Sequence, residues 1–480
     1  MPTLTEARLT LLRRRIAESG DSAAGEARPD PSAETPDSFG QFGIAERRMW
    51  KIYELDPESV SHNIGLVIDF DGDRTVESVV AAAELLVERF EVLSSIVEVE
   101  AGVPHRVRVR REGRWDATRS FWTWGLDDAS VGSTESDTMA TRLTRTPFDL
   151  FAEVPLRLHV SGGDGRVTMI LVVHHLAVDD TSWPLLLGTL VSGEWIGDVH
   201  AESRPATPDA ATAAETTDAA VRHALDTWAA DDVRHPLSGE LPAESAAESW
   251  LSPMDDREGI KVAAAVADES LAAFDRVAQI VGATPNAMLI GVCSLAAFAL
   301  TGSPDHVLVV PADNRRRTQS PQRIGYCGNI IPMRFRVDPT ATVEQALRDA
   351  ASVIYRAMEH SGTDFGPILT ALRQRGGRFP VMEIMASVRP APLRGIARPD
   401  DPPVTCRSVF NGIANYPLSI AFETDDHATH VEVDHQPGIV PDHVATRATG
   451  VLTALVDLIP SALGSTVAEL LADLERRVPA

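Results

Sequence analysis

Apolar residues along the chain recur at two periods, helical and strand-like, that replace one another from segment to segment. Leu4, Leu9, Leu11, Leu12 and Ile16 recur at helical spacing against Arg8, Arg13, Arg14 and Arg15, so residues 4–18 read as an amphipathic helix. From Glu18 to Phe39 the composition turns to Gly, Ser, Ala, Pro and acids, as in a flexible linker. Helical periodicity returns at Phe42–Trp50, with Trp50 expected to pack, and Ser61–Phe70 alternates like a strand. Asp73–Arg89 puts Val76, Val79, Val80, Ala83, Leu86 and Val87 on one face of a helix. Val167–Val173 is a continuous β-branched and apolar run, the pattern of a buried strand. Trp183–Leu187 then starts a helix, with Ser182 as its expected N-cap and Pro184 in the first turn.

Residues 201–251, rich in Ala, Thr, Glu, Asp and Pro, read as a connection containing one helix, Ala219–Ala230. Beyond it, Ile260–Val266, His306–Val310, Val381–Val388 and Leu418–Glu423 read as strands. Glu269–Val281, Val343–Glu359 and Pro441–Leu458 read as helices. Thr284 is an expected N-cap with Pro285 after it, and Ala287–Leu300 is apolar nearly all round, as a buried helix is. Ser161–Gly165 lies between two strand-like runs and predicts a hairpin turn. It is not a carrier-protein attachment site, because Gly165 stands where the Ser would be. Hydropathy alone therefore gives an α/β protein of two lobes. The expected division is residues 1–40 as N-terminal helix and linker, 41–200 as the first lobe, 201–250 as connection and 251–480 as the second lobe.

The length of 480 residues agrees with more than one core. Charge narrows the partners: 44 Lys+Arg against 69 Asp+Glu gives a formal net charge of −25, which repels nucleic acid and anionic lipid. The three cysteines Cys293, Cys327 and Cys406 are widely spaced, with neither a disulfide framework nor metal-ligand spacing, which suits a reducing cytoplasm. The first residues lack a signal-peptide pattern, and the longest apolar stretch is too short to span a bilayer.

Candidate chemistry gathers at the end of the buried run, at His174-His175-Leu176-Ala177-Val178-Asp179-Asp180. Side chains alternate along a strand, so the two histidines face opposite ways. A turn that brings back a carboxylate or a carbonyl can fix the tautomer a histidine base needs, and Asp179 stands four residues after His175. Asp180 adds a second carboxylate.

This stretch resembles the HHxxxDG signature of the condensation domains of nonribosomal peptide synthetases, within the chloramphenicol-acetyltransferase-like acyltransferases. His174, His175, Asp179 and Ser182 match in place, and Asp180 replaces the Gly. Weaker motifs follow in the family's order. Ala45, Arg48 and Trp50 fit SxAQxRLW, and Arg89, Glu91 and Leu93 fit RHExLRT. Pro147–Leu150 with Pro155-Leu156 looks like the family's approach to its active-site strand. Arg315 aligns with a strand-end Arg, and Ile324, Gly325 and Asn329 fit IGxFVNT, with Cys327 and Gly328 in place of Phe and Val.

The resemblance implies two such lobes in a V, each a mixed sheet with packed helices, and an active-site channel at their junction. It implies attack of an amine or alcohol on an acyl or aminoacyl thioester carried by a partner's phosphopantetheine arm. No cofactor bound by this chain and no metal is expected. The partners expected are acyl or peptidyl carrier proteins and a small amine or alcohol acceptor. His175 is expected as general base or positioning residue, and His174 as structural. Asp179 is expected either to orient His175 or, as the resemblance favours, to form a buried ion pair with Arg315. Asn329 and Ser387 are expected along the channel. The absence of fused modules points to a free-standing enzyme or an excised domain.

Two other readings stand beside this one. Thr181-Ser182-Trp183 resembles epimerisation domains, but no acid/base segment of that subgroup is found, and Asp364-Phe365-Gly366 in its region lacks those residues. The DD ending resembles recruitment platforms of glycopeptide assembly lines, which usually lose the second histidine kept here as His175.

Overall fold

The computed structural model describes residues 40, 42–72, 74–109, 133–163, 166–193, 210–229, 237, 258–314, 324–363, 368, 382–390, 392–393, 396, 404–424 and 428–479. The helix and linker expected over residues 4–39, Arg315–Arg317 and Asp364–Gly366 lie outside them.

Two sheets organise the chain, as an α/β reading requires. The first comprises β1 (Asn63–Asp71), β4 (Leu156–Gly163), β5 (Arg166–His174) and β10 (Val404–Val409) in the order β10-β1-β5-β4, every neighbour antiparallel. β4 and β5 make the hairpin expected at Ser161–Gly165: Gly163 pairs with Arg166, and the two residues between them lie outside the described set. β5 is central and covered on both faces. Ile170 and Val172 pack with Trp50, Tyr53 and Phe148 beside α1 (Ile44–Leu55) and α3 (Ser133–Thr144). Met169, Leu171 and Val173 pack with Leu86 of α2 (Val76–Arg89) and Leu187 of α4 (Trp183–Ser192). Double burial explains why this run shows no polar alternation. Trp50 is fully buried, its ring 5.0 Å from that of Tyr53, as a packing residue should be.

The second sheet has the order β6-β12-β11-β9-β7-β8, made of β6 (Ile260–Val266), β7 (Asp305–Asp313), β8 (Gly328–Arg336), β9 (Ile384–Pro390), β11 (Leu418–Thr424) and β12 (Thr429–His435). The β7–β9 and β9–β11 pairs are parallel and the rest antiparallel, so the sheet is mixed. Its core joins the sheet to α6 (Asp268–Val281), α7 (Pro285–Thr301), α8 (Val343–Met358), α9 (Asp442–Ala462) and α10 (Val467–Arg477). Thr284 caps α7 by accepting from the Ala287 amide at 3.2 Å, with Pro285 its first residue, and α7 is buried almost all round. Among the described residues no single helix is long and apolar enough to cross a membrane; α6 and α7 would qualify only as a pair bent by 100°.

The structure departs from the sequence reading in three ways. The connection's helix, α5 (Ala210–Asp226), starts and ends earlier than expected. A hairpin of β2 (Ser95–Glu100) and β3 (Val103–Arg108), the strands β8, β10 and β12, and helices α3 and α10 were not anticipated. β10 lies in the stretch assigned to the second lobe yet completes the first sheet, pairing Gly65 with Val409 through Phe70 with Val404. Without it β1 would present an unpaired edge.

Candidate active site

The end of β5 is fastened from both sides. The His174 amide donates to Pro155 O at 3.0 Å, and the next amide, of His175, donates to His62 O at 2.8 Å on the opposite side. The Ala177 amide closes a turn onto His174 O at 2.9 Å, which brings the chain back towards α4.

Alternation separates the two histidines as expected. His174 is buried between the edges of Tyr53 and Phe148, with ring centroids at 5.8 and 6.0 Å. Its Nδ1 accepts the Leu176 amide at 3.1 Å, so its proton sits on Nε2. Burial, with further repulsion from His62, His175 and Arg157, holds its pKa well below the ordinary histidine value. It is a neutral scaffold residue.

His175 is half-buried, and its Nδ1 lies 2.6 Å from Val178 O. A carbonyl oxygen only accepts, so Nδ1 carries the hydrogen and Nε2 keeps a basic lone pair. The tautomer expected of a base is present, but a backbone carbonyl sets it rather than Asp179.

Asp179 does different work. Its Oδ2 accepts the Cys327 amide at 2.9 Å and its Oδ1 accepts the Ser182 hydroxyl at 3.0 Å. Ser182 Oγ in turn accepts the Asp179 amide at 3.2 Å. Ser182 stands at the N-cap position of α4, as expected, but it has helical φ and ψ and makes no side-chain cap hydrogen bond to that helix. Asp179 caps a short 3-10 turn, Asp180–Ser182, that leads into α4, and Ser182 is its capping partner. Both residues hold the motif turn against residues 325–327 of the second half. The expected partner Arg315 lies outside the described residues.

Asp180, in place of the family's Gly, opens the 3-10 turn with an exposed side chain. Ala101 is the only non-glycine with positive φ among the described residues, so Asp180 adopts no glycine-like conformation and the replacement costs no backbone strain. Beside it, Thr181 Oγ1 donates to Asp313 Oδ2 at 3.0 Å, a further tie between the halves.

Asn329 and Ser387, expected along the channel, both hydrogen-bond protein atoms. Asn329 Nδ2 donates to Ser361 O at 2.6 Å and Thr363 O at 3.1 Å, while its Oδ1 accepts from Arg48 and from the Ile330 amide. Ser387 is buried in β9 with its hydroxyl directed to Ile420 O at 3.5 Å.

Two neighbours of His175, His62 and Tyr326, and Arg48 behind them were not anticipated as site residues. His62 lies with its ring 6.4 Å from that of His175 and its Nδ1 2.9 Å from Ser61 Oγ. Tyr326 meets His175 edge-on, with centroids 4.9 Å apart and planes at 73°. Burial raises the Tyr326 phenol above its ordinary pKa, with Arg48 opposing. Arg48 reaches from α1 to donate to Gly328 O at 2.6 Å. Its place in the SxAQxRLW match was the one sequence signal for this group. Among the described residues no three His, Cys, Asp or Glu side chains are arranged to hold a metal ion.

Residues 44–195 match the family model described as the condensation domain. The AMB antimetabolite synthetase AmbB of Pseudomonas aeruginosa is 27% identical over 391 residues, which is 78% of this chain and 28% of that protein. The chain spans a still smaller share of other synthetases it matches. The condensation domain of the Monacolin K polyketide synthase MokA superposes with a TM-score of 0.71 at 15% identity, over 89% of this chain and 99% of that one. The X-domain in a complex with OxyB from teicoplanin biosynthesis gives 0.65 at 15% identity, over 93% and 99%.

Proposed function

We propose that this chain is a condensation domain of nonribosomal peptide synthesis that joins a carrier-bound acyl or aminoacyl thioester to an amine or alcohol acceptor. The reading is supported by the family match over residues 44–195 and by the relatives and solved structures above. The observation that carries the reading is the hydrogen bond from His175 Nδ1 to Val178 O, which leaves Nε2 as the basic nitrogen. On this reading the acceptor's N–H or O–H bonds to Nε2 while its heteroatom attacks the thioester carbonyl. The new C–N or C–O bond forms, Nε2 takes the proton, the C–S bond breaks, and the departing thiolate recovers a proton as a thiol. An alcohol depends on this more than an amine, because a hydroxyl is a weak nucleophile until its proton is leaving. The acyl group arrives as substrate on the phosphopantetheine arm of a carrier protein, and on this reading donor and acceptor meet in a channel at the lobe junction.

A recruitment platform is the second reading, favoured by the carboxylate of Asp180 where the family has Gly. The intact tautomer device on His175 weighs against it, since a platform has no use for a base. The test presents the protein with a carrier-loaded acyl thioester and candidate amines and alcohols, followed by intact mass and α-hydrogen exchange. Coupled product is the expected result. Exchange without product would replace the proposal with epimerisation, and carrier binding with neither would replace it with the platform.

A further inference from the structure

Tyr326 belongs by sequence to the second half, yet its ring lies in the first lobe's cluster with Trp50, Tyr53 and Phe148. It is buried, and it touches His175 edge-on at a centroid separation of 4.9 Å. The backbone around it is pinned at two points. The Cys327 amide donates to Asp179 Oδ2 at 2.9 Å, and Gly328 O accepts from Arg48 Nη2 at 2.6 Å. The Arg48 guanidinium also acts on the Tyr326 phenol, opposing the rise that burial imposes on its pKa.

Space for the ring depends on Gly328. A Cβ there would fall 3.1 Å from Tyr326 Cε2 and 3.3 Å from both Cζ and the hydroxyl oxygen, closer than ordinary packing allows. The matched motif has Val at this position. The absence of a side chain at Gly328 thus leaves room for the Tyr326 ring beside the imidazole.

We infer that Tyr326 is a positioning residue for His175. Its ring blocks rotation of the imidazole away from Val178 O, so the Nδ1–H tautomer persists and Nε2 stays aimed at one place. A ring held by packing loses less accuracy than one held by a single hydrogen bond, and small misplacement of a reacting group is costly. The inference rests on His175 as the chemical group, but its primary readout does not involve turnover.

The test is the ¹⁵N spectrum of the His175 ring at neutral pH in the full chain, compared among wild type, Tyr326→Phe, Tyr326→Leu and Gly328→Ala. Wild type and Tyr326→Phe should show the Nδ1–H tautomer. Tyr326→Leu should show a mixture of tautomers, and Gly328→Ala, which leaves Tyr326 chemically intact and displaces its ring, should move the same way. In acyl transfer, Tyr326→Leu should lower kcat by roughly 10–10²-fold with KM little changed, and Tyr326→Phe should restore it. A wild-type tautomer signature in both Tyr326→Leu and Gly328→Ala would overturn the inference. So would a Phe variant as impaired as the Leu variant, because the hydroxyl rather than the ring would then matter. Failure of the base reading shows differently, as unchanged transfer by His175→Ala.

Discussion

At the scale of single residues, His175 and Asp179 stand four positions apart, and their hydrogen bonds run in different directions. His175 turns to Val178 O, and Asp179 turns to the Cys327 amide and Ser182. Spacing in the sequence could mark both as special, but not choose between a carboxylate and a backbone carbonyl as the partner. A carbonyl is present at every residue and leaves no compositional trace. Tyr326 was hidden for a similar reason: it occupies a variable place in its motif, and only the fold brings it to the imidazole. The separation of roles makes a prediction. Asp179→Ala removes the buried carboxylate that accepts from the Cys327 amide and the Ser182 hydroxyl and should destabilise the protein by about 3 kcal/mol, measured by urea unfolding. Unchanged stability alongside lost activity would return Asp179 to a direct part in the chemistry.

At the scale of elements, strongly patterned segments were legible and cross-chain pairings were not. β5 was readable because burial on both faces leaves an unbroken apolar run, and α7 because its cap and its all-round apolar surface agree. β10 was not, since Val404–Val409 mixes Thr, Cys, Arg and Ser and acquires its meaning only by pairing with β1. Gly65 shows the same limit. It lies in β1 where α3 comes down on the sheet, and a Cβ there would stand 2.1 Å from Thr144 Oγ1. Gly65→Ala should therefore push α3 off β1 and cost about 1–3 kcal/mol, read as a lower urea midpoint. A variant as stable as wild type would mean that α3 seats more loosely than the contact implies.

For the whole molecule, the two-lobe α/β architecture was legible, and the ties between the halves were not. Besides the β1–β10 pairing they are single contacts, Arg48 to Gly328, Asp179 to Cys327 and Thr181 to Asp313, between residues far apart in sequence that no periodicity connects. Buried histidines give the molecule a pH dependence. His306, between Ser294 Oγ and Ser303 O at 3.1 Å each, is pushed down by burial from 6.5 to about 4. A depressed folded pKa means that the unfolded chain binds the proton first. The contribution is therefore complete above about pH 6.5 and is lost as pH falls towards 4, at most about 3 kcal/mol. His174 and His223 act in the same direction. Urea midpoints should fall steadily from pH 7 to 4, and less steeply in His306→Gln; a flat profile would contradict this. The central claim is that His175 performs the transfer chemistry. Its most direct measurement is single-turnover acyl transfer from a loaded carrier, comparing wild type with His175→Ala under conditions where both have the same thermal transition. His175→Ala should lose ~10²–10⁴-fold in rate. Product formed at the wild-type rate by His175→Ala would contradict it.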